Sequence, residues 1–160
     1  MLVHRLPIVI AATCVACLAL AGTVEPRNGW VVINTSKPYA PLNEQLEAAI
    51  KAEKMGLVTS ASASEGAKAA GFAIPGNRVV GVFRNDFARR MLQASVAAGI
   101  EAPIRFYVTE NADGTATLSY RKPSFVFAPY SAEGGVALAT LASELDEIFA
   151  RIADAATRPN

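Results

Sequence analysis

Apolar and polar positions alternate most clearly between residues 104 and 121. Ile104, Phe106 and Val108 alternate with Arg105, Tyr107 and Thr109, and Ala116, Leu118 and Tyr120 alternate with Thr115, Thr117, Ser119 and Arg121. A period of two marks a half-buried strand, and Asn111-Ala112-Asp113-Gly114 between the two runs predicts a hairpin. Cross-strand neighbours share a face, and a slip of one residue would put apolar side chains in water. A type I turn with Gly114 left-handed as the bulge sets Val108 opposite Leu118 and Phe106 opposite Tyr120. The outward face of the hairpin is then Arg105, Tyr107, Thr117, Ser119 and Arg121.

Trp30-Val31-Val32-Ile33 and residues 78–83 are β-branched and aromatic runs, and each predicts a strand. Residues 34–41, with Ser36, Pro38 and Pro41, predict a loop. Residues 42–54 predict a helix: Leu42, Leu46, Ala49 and Ile50 fall on one stripe. In it Glu44 and Glu47 lie early and Lys51 and Lys54 late, as the helix dipole favours, and Gly56 is a natural stop. Residues 57–62 read as a second strand. Residues 62–76, rich in Ala, Ser and Gly, read as a continuation of that strand or a loop. Asn85 or Asp86 can cap a helix running to about Ala98 and stopping at Gly99, with Phe87, Met91, Ala94 and Ser95 on one face. Residues 125–129 read as an extended edge, ended by Gly134-Gly135. Residues 136–156 form a final helix in which Leu138, Leu141, Leu145, Ile148 and Ile152 make a 3-4-3-4 seam. Such a seam fits a helix lying on a sheet, and it also fits a contact between two copies of the chain.

The order is strand, helix, strand, strand, helix, two hairpin strands, helix. It predicts a single α+β domain with a mostly antiparallel sheet and helices packed on one face. No internal repeat and no linker marks a second domain.

The N-terminus has a different pattern. Residues 1–5 are a short n-region carrying Arg5, residues 6–18 are apolar apart from Thr13, and Ala19-Leu20-Ala21 is a small-x-small cleavage site. A signal peptide over residues 1–21 is expected, followed by a flexible lead (22–29), the domain (30–156) and a tail (157–160). The apolar run of about 16 residues falls short of the roughly 20 that span a bilayer, so no stable membrane insertion is expected after cleavage. A retained anchor is the alternative. Neither Ala11 before Cys14 nor Cys14 before Cys17 supplies the aliphatic residue of a lipoprotein signal. The destination is periplasmic or extracellular.

Composition gains meaning only once that segment is set aside. A cut after Ala21 removes Arg5, the one His and both Cys, leaving 139 of 160 residues with 14 basic and 14 acidic side chains, a net charge of zero. That is no electrostatic footprint for nucleic acid, which needs clustered excess Lys and Arg. Without Cys the domain has no disulfide, and at this length it can bury about two-thirds of its unfolded surface instead. Without Cys and His there is no Cys/His zinc site, no Cys nucleophile, no Ser–His–Asp triad and no haem attachment signature. No carboxylate pair has glycosidase-like spacing. Glu110, Asp113 and Asn111 at one turn read as solvated rather than as a cation site. Gly66, Gly71 and Gly76 lack the Lys and Ser/Thr of a phosphate loop. No catalytic residue, metal ligand or cofactor is assigned; beyond carboxylates, the acid/base hydroxyls are Tyr39, Tyr107, Tyr120 and Tyr130.

Two constellations remain as candidate ligand sites. Arg84 and Asn85 stand at a strand-to-helix junction, where backbone N–H groups favour anions, among Arg78, Arg89, Arg90 and Arg105. Asp86 opposes that reading by placing a negative charge at the same terminus. Arg105 and Tyr107, on the outward face of the hairpin with Arg121, could line a groove for a polar ligand; the alternative is an ordinary exposed face of a two-layer domain.

Three stretches together resemble the bacterial family called domain of unknown function 302. They are Ser36-Lys37-Pro38-Tyr39 with Met55-Gly56-Leu57; Val82-Phe83-Arg84-Asn85 leading into Met91-Leu92-Gln93-Ala94-Ser95; and Ala98-Gly99-Ile100-Glu101-Ala102-Pro103 with Tyr107-Val108-Thr109-Glu110-Asn111-Ala112-Asp113-Gly114, Leu118-Ser119-Tyr120 and Pro123. The resemblance implies a curved antiparallel sheet of TATA-binding-protein-like architecture, often a homodimer, and no established activity. The family's aromatic-Gly-Asn-Pro-Lys pattern keeps only Phe83 and Asn85 here: Arg84 replaces the Gly, Asp86 the Pro and Phe87 the Lys. The expected role is an exported binding or accessory module for a small polar or anionic ligand or a protein partner. An enzyme using Arg, Tyr or carboxylate chemistry between sheet and helices is one alternative, and a structural homodimer is the other.

Overall fold

Five strands form one antiparallel sheet in the computed structural model, which describes residues 24–159. In chain order they are β1 (Trp30–Pro38), β2 (Gly56–Ala61), β3 (Asn77–Phe83), β4 (Ile104–Glu110) and β5 (Thr115–Arg121), and they lie across the sheet as β1-β5-β4-β3-β2. The helices are α1 (Tyr39–Ala52), α2 (Ala63–Ala69), α3 (Asn85–Ala94), α4 (Pro123–Phe127) and α5 (Ser131–Thr157), with short 3₁₀ turns at Ala97–Glu101 and Ala128–Tyr130. The expected α+β class and single domain are what the chain adopts. The expected signal peptide, Gly22 and Thr23 of the lead, and Asn160 of the tail lie outside the described residues.

The hairpin is built in the expected register, with Phe106 opposite Tyr120 and Val108 opposite Leu118. Gly114 takes φ 81° at the turn, a left-handed conformation that costs glycine nothing. Alternation then sorts the two faces. Phe106, Val108, Leu118, Val80 and Val82 point into the core and are nearly or fully buried. The stripe of α1 (Leu42, Leu46, Ala49, Ile50) and the seam of α5 (Leu138, Leu141, Leu145, Ile148, Ile152) cover them and are buried too. The seam is therefore used inside one protomer, as a helix lying on a sheet. By length and composition Pro123–Thr157 could cross a bilayer, but here much of its apolar surface is buried against the sheet and α1. Gly135, at φ 50° and ψ −145°, kinks α5 close to the expected break.

Four expectations give way to tertiary context. Strand β1 runs on through the expected loop to Pro38, with a register irregularity between Asn34 and Pro38. An edge strand tolerates a proline, and Pro38 pairs with Thr115 only beyond that irregularity. Helix α1 accordingly starts early, at Tyr39, and Pro41 sits in its first turn, where N–H groups have no intrahelical acceptor. Between residues 62 and 76 the chain forms α2: Ser62 Oγ accepts the Glu65 N–H at 3.2 Å, a Ser-x-x-Glu start before Ala-rich sequence that favours helix. Residues 125–129, expected as an extended edge, fall in α4 and the 3₁₀ turn after it. Pro123 opens α4, and the Asp146 carboxylate accepts from Ser124 N and Oγ at 2.9 and 2.5 Å. Short apolar runs do not by themselves distinguish strand from helix.

Helix α3 also differs at both ends. Its capping position is Arg84, with no side-chain cap, so Asn85 and Asp86 belong to the first turn instead. It ends at Ala94 rather than near Ala98, because Ser95 turns extended (φ −153°, ψ 119°). The Ser95 hydroxyl accepts from the Ala98 N–H at 3.2 Å and donates to Glu133 at 2.7 Å.

Candidate binding groove

The second face of the sheet carries no layer of helices. Odd-numbered residues of β3, β4 and β5 point onto it because successive side chains alternate. Strand pairing arranges them in rows: Val32 faces Ser119, Ser119 faces Tyr107, and Tyr107 faces Val79. Trp30 faces Arg121 and Arg105 faces Gly81 in the next row. The start of α2, Ser62 and Ala63, forms one rim, and the surface bends past the ends of β4 and β5 to Glu101 and Val126. The result is an open groove of about 730 Å³, within the size range of small-molecule sites.

Its polar groups are unequal. Asn77 is already satisfied, accepting from Ala63 N at 3.0 Å and donating to Pro75 O at 3.0 Å. Glu101 accepts from the Tyr130 hydroxyl at 2.9 Å, and that bond holds the Tyr130 hydroxyl above its ordinary pKa, with burial and the Glu101 charge adding to it. Ser119 is fully buried. The guanidiniums of Arg105 and Arg121 are different. Arginine side chains pair with carboxylates at Arg78–Glu47, Arg84–Asp86, Arg90–Glu144 and Arg151–Glu53. Arg105 and Arg121 join none of them; Arg121 lies over the Phe125 ring at 5.4 Å. Arg27 lies over the Trp30 ring at 5.3 Å.

The four candidate residues divide into two pairs. Arg105 and Tyr107 share the groove. Arg84 and Asn85 lie on the helix side of the sheet, at the β3–α3 junction. Arg84 donates to both oxygens of Asp86 at 2.8 and 3.2 Å, reaches Glu53 O at 3.4 Å and stacks over Phe87 at 4.3 Å. These bonds hold the Asp86 carboxyl below its ordinary pKa. The charge that would serve an anion there is engaged within the chain, and Asp86 occupies the helix terminus.

The sequence pattern marks Trp30 only as a strand residue, yet it forms part of the groove. Its position follows from β1 pairing with β5, a contact across most of the chain that no local pattern carries. Arg121 had a legible signal, because it shares the parity of Arg105 and Tyr107 on the hairpin.

Groups suited to proton transfer are scarce around this face. None of the described carboxylates is buried. Tyr120, at the groove's end but packed against the edges of Phe106 and Phe149, is pushed up to about 12 by burial, with the Asp146 and Asp154 charges adding to the shift. It therefore stays protonated at neutral pH. Among the described residues no cluster of three His, Cys, Asp or Glu could hold a metal ion.

The fold and groove define a small α+β domain with one helix-covered and one open sheet face. A family model described as domain of unknown function DUF302 matches residues 31–156, and the chain belongs to that family. The crystal structure of an uncharacterized conserved protein DUF302 from Bacillus stearothermophilus is similar, with a TM-score of 0.71 at 20% identity, covering 82% of this chain and 100% of that one. At that identity the likeness speaks for the fold. No curated protein matches the chain.

Proposed function

We propose that this domain is an exported, non-enzymatic binding module for a small anionic molecule, held in the groove on the open sheet face. One observation carries the reading: Arg105 and Arg121 both line the groove and neither has a carboxylate partner among the described residues. Like charges in neighbouring cross-strand positions repel, and an anion between them would relieve that repulsion. Charge-assisted bonds from a guanidinium fork suit a carboxylate or phosphate. Export is supported by the apolar N-terminal run and its small-x-small end.

Thermal unfolding across a panel of small anions tests the binding role. At least one anion should raise Tm in the wild type, and Arg105→Gln should remove that rise. No shift with any anion, together with no retained small molecule in native mass spectrometry of protein from its host, would overturn it. Fractionation of host cells tests the compartment: recovery of a shortened chain in the soluble exported fraction is expected, and a cytoplasmic full-length chain would refute export.

A further inference from the structure

The rest of the groove says what kind of anion it suits. Apart from the two arginines and Glu101, most of its surface is apolar or aromatic: Trp30, Tyr107, Val79, Ala61, Ile104 and Val126. A bare inorganic anion would leave this surface in water and gain only from the guanidiniums. A ligand with an apolar body would use both. We infer that the groove takes an amphipathic carboxylate with an aromatic body, its carboxylate on Arg105 and Arg121 and its ring against Trp30 and Tyr107.

Three features support that assignment, which rests on the groove being a binding site. The charges come first: two arginines against one glutamate in the lining, with Arg27 over the Trp30 ring, leave a positive excess that favours a carboxylate over an uncharged ligand. The second is geometric. Trp30 faces Arg121 across β1 and β5, and Tyr107 lies two residues along β4 from Arg105. Each ring thus stands next to a guanidinium, and side chains stand roughly perpendicular to a sheet. A ligand short enough to hold its ring and carboxylate a few bonds apart can meet both. The third is exposure: both rings are only partly buried, so Tyr107, and the part of Trp30 that Arg27 leaves uncovered, can make offset or edge-to-face contact with a ligand ring.

Trp30 is the chain's single tryptophan, so its fluorescence reports on this groove alone. The full chain is titrated with four probes: phenylpropionate, hexanoate, phenylpropanol and inorganic phosphate. Phenylpropionate should change the Trp30 emission saturably, and hexanoate and phenylpropanol should each bind about tenfold more weakly, since one lacks the ring and the other the charge. The double variant Arg105→Gln/Arg121→Gln should lose about tenfold in phenylpropionate affinity and keep its phenylpropanol affinity. Hexanoate or phosphate binding as tightly as phenylpropionate would overturn the aromatic assignment and leave the anion site standing. Phenylpropanol binding as tightly as phenylpropionate would remove the arginines from the assignment. Silence with all four probes, by fluorescence and by calorimetry, would overturn both this inference and the binding role. The probe comparison uses the wild-type chain, so it holds even if the double variant folds poorly.

Discussion

Phe106 of β4 and Phe149 of α5 stack with ring centroids 4.4 Å apart and planes 15° from parallel. Tyr120 closes the cluster, 5.2 Å from Phe106 and 5.5 Å from Phe149. Phe106 and Phe149 are fully buried, so the central hairpin and the last helix are joined through this aromatic contact. Deleting a ring there removes its transfer free energy and leaves a cavity that a sheet and a long helix cannot easily close. Phe149→Ala should cost about 3–5 kcal/mol, measured by urea unfolding. A loss below about 1 kcal/mol would mean the ring is not packed as described.

Thr109 gives a prediction of the opposite sign. It sits on β4 beside Thr117, buried, and its hydroxyl has no hydrogen-bond partner among the described residues. Thr117, its cross-strand neighbour, lies within 2.8 Å of Asn34 Oδ1 and 3.0 Å of Asn111 Oδ1 and can donate to either. An unpaired buried hydroxyl has lost its water without compensation. Thr109→Val keeps the shape and removes the polar atom, so stability should stay level or rise by about 1 kcal/mol. Thr117→Val removes a bonded hydroxyl and should cost about 1 kcal/mol. If Thr109→Val proves the worse of the two in thermal unfolding, the Thr109 hydroxyl has a partner in solution.

The hairpin was legible to the residue, because a period-two pattern and a Gly-ended turn admit one register. The stripe of α1 and the seam of α5 were legible for the same kind of reason. What local pattern could not carry were the long-range choices. That β1 lies against β5, bringing Trp30 to Arg121, is decided by packing between the two ends of the domain. Pro38 argued for a loop only while its strand's edge position was unknown. Helix α2 was readable in principle from Ser62 and Glu65, but Ala and Gly runs after it diluted the signal. Of the candidate site, Arg105 and Tyr107 were found together because they sit on one strand at one parity. Arg84 and Asn85 form a separate candidate, marked by a strand-to-helix junction, and the two pairs lie on different sides of the sheet.

Acid should weaken the fold through its surface ion pairs. Hydrogen bonding to Arg151 lowers the Glu53 pKa, Arg84 does the same to Asp86, and Arg90 to Glu144. Each folded-state pKa is depressed, so the unfolded chain binds protons first as pH falls. The stabilisation is present above the ordinary values of 4.5 for glutamate and 3.8 for aspartate, and it is lost as pH drops through the lower folded values. Tm should therefore hold at neutral pH and fall on acidification through that range. The triple variant Glu53→Gln/Asp86→Asn/Glu144→Gln should start lower and fall less steeply. Because the pairs are exposed, salt should narrow the difference between the two curves. Parallel curves would show that the pairs contribute nothing.

The alkaline limb should belong to Tyr120. Burial beside the Phe106–Phe149 stack raises its pKa from 10.0 to about 12, because a phenolate in that core would lose its hydration. Here the folded state holds its proton more tightly than the unfolded chain. The contribution is therefore complete below pH 10 and declines as pH rises from there toward 12. Ultraviolet titration should show Tyr120 ionising after the other tyrosines, and only as the fold opens. In Tyr120→Phe that late phase should vanish. The variant should also lose less stability than the wild type between pH 10 and 12, while at neutral pH it should lie within about 1 kcal/mol of the wild type. A late phase that survives the substitution would assign the raised group elsewhere: Tyr39, which is also shifted upward chiefly by burial, is the residue to replace next.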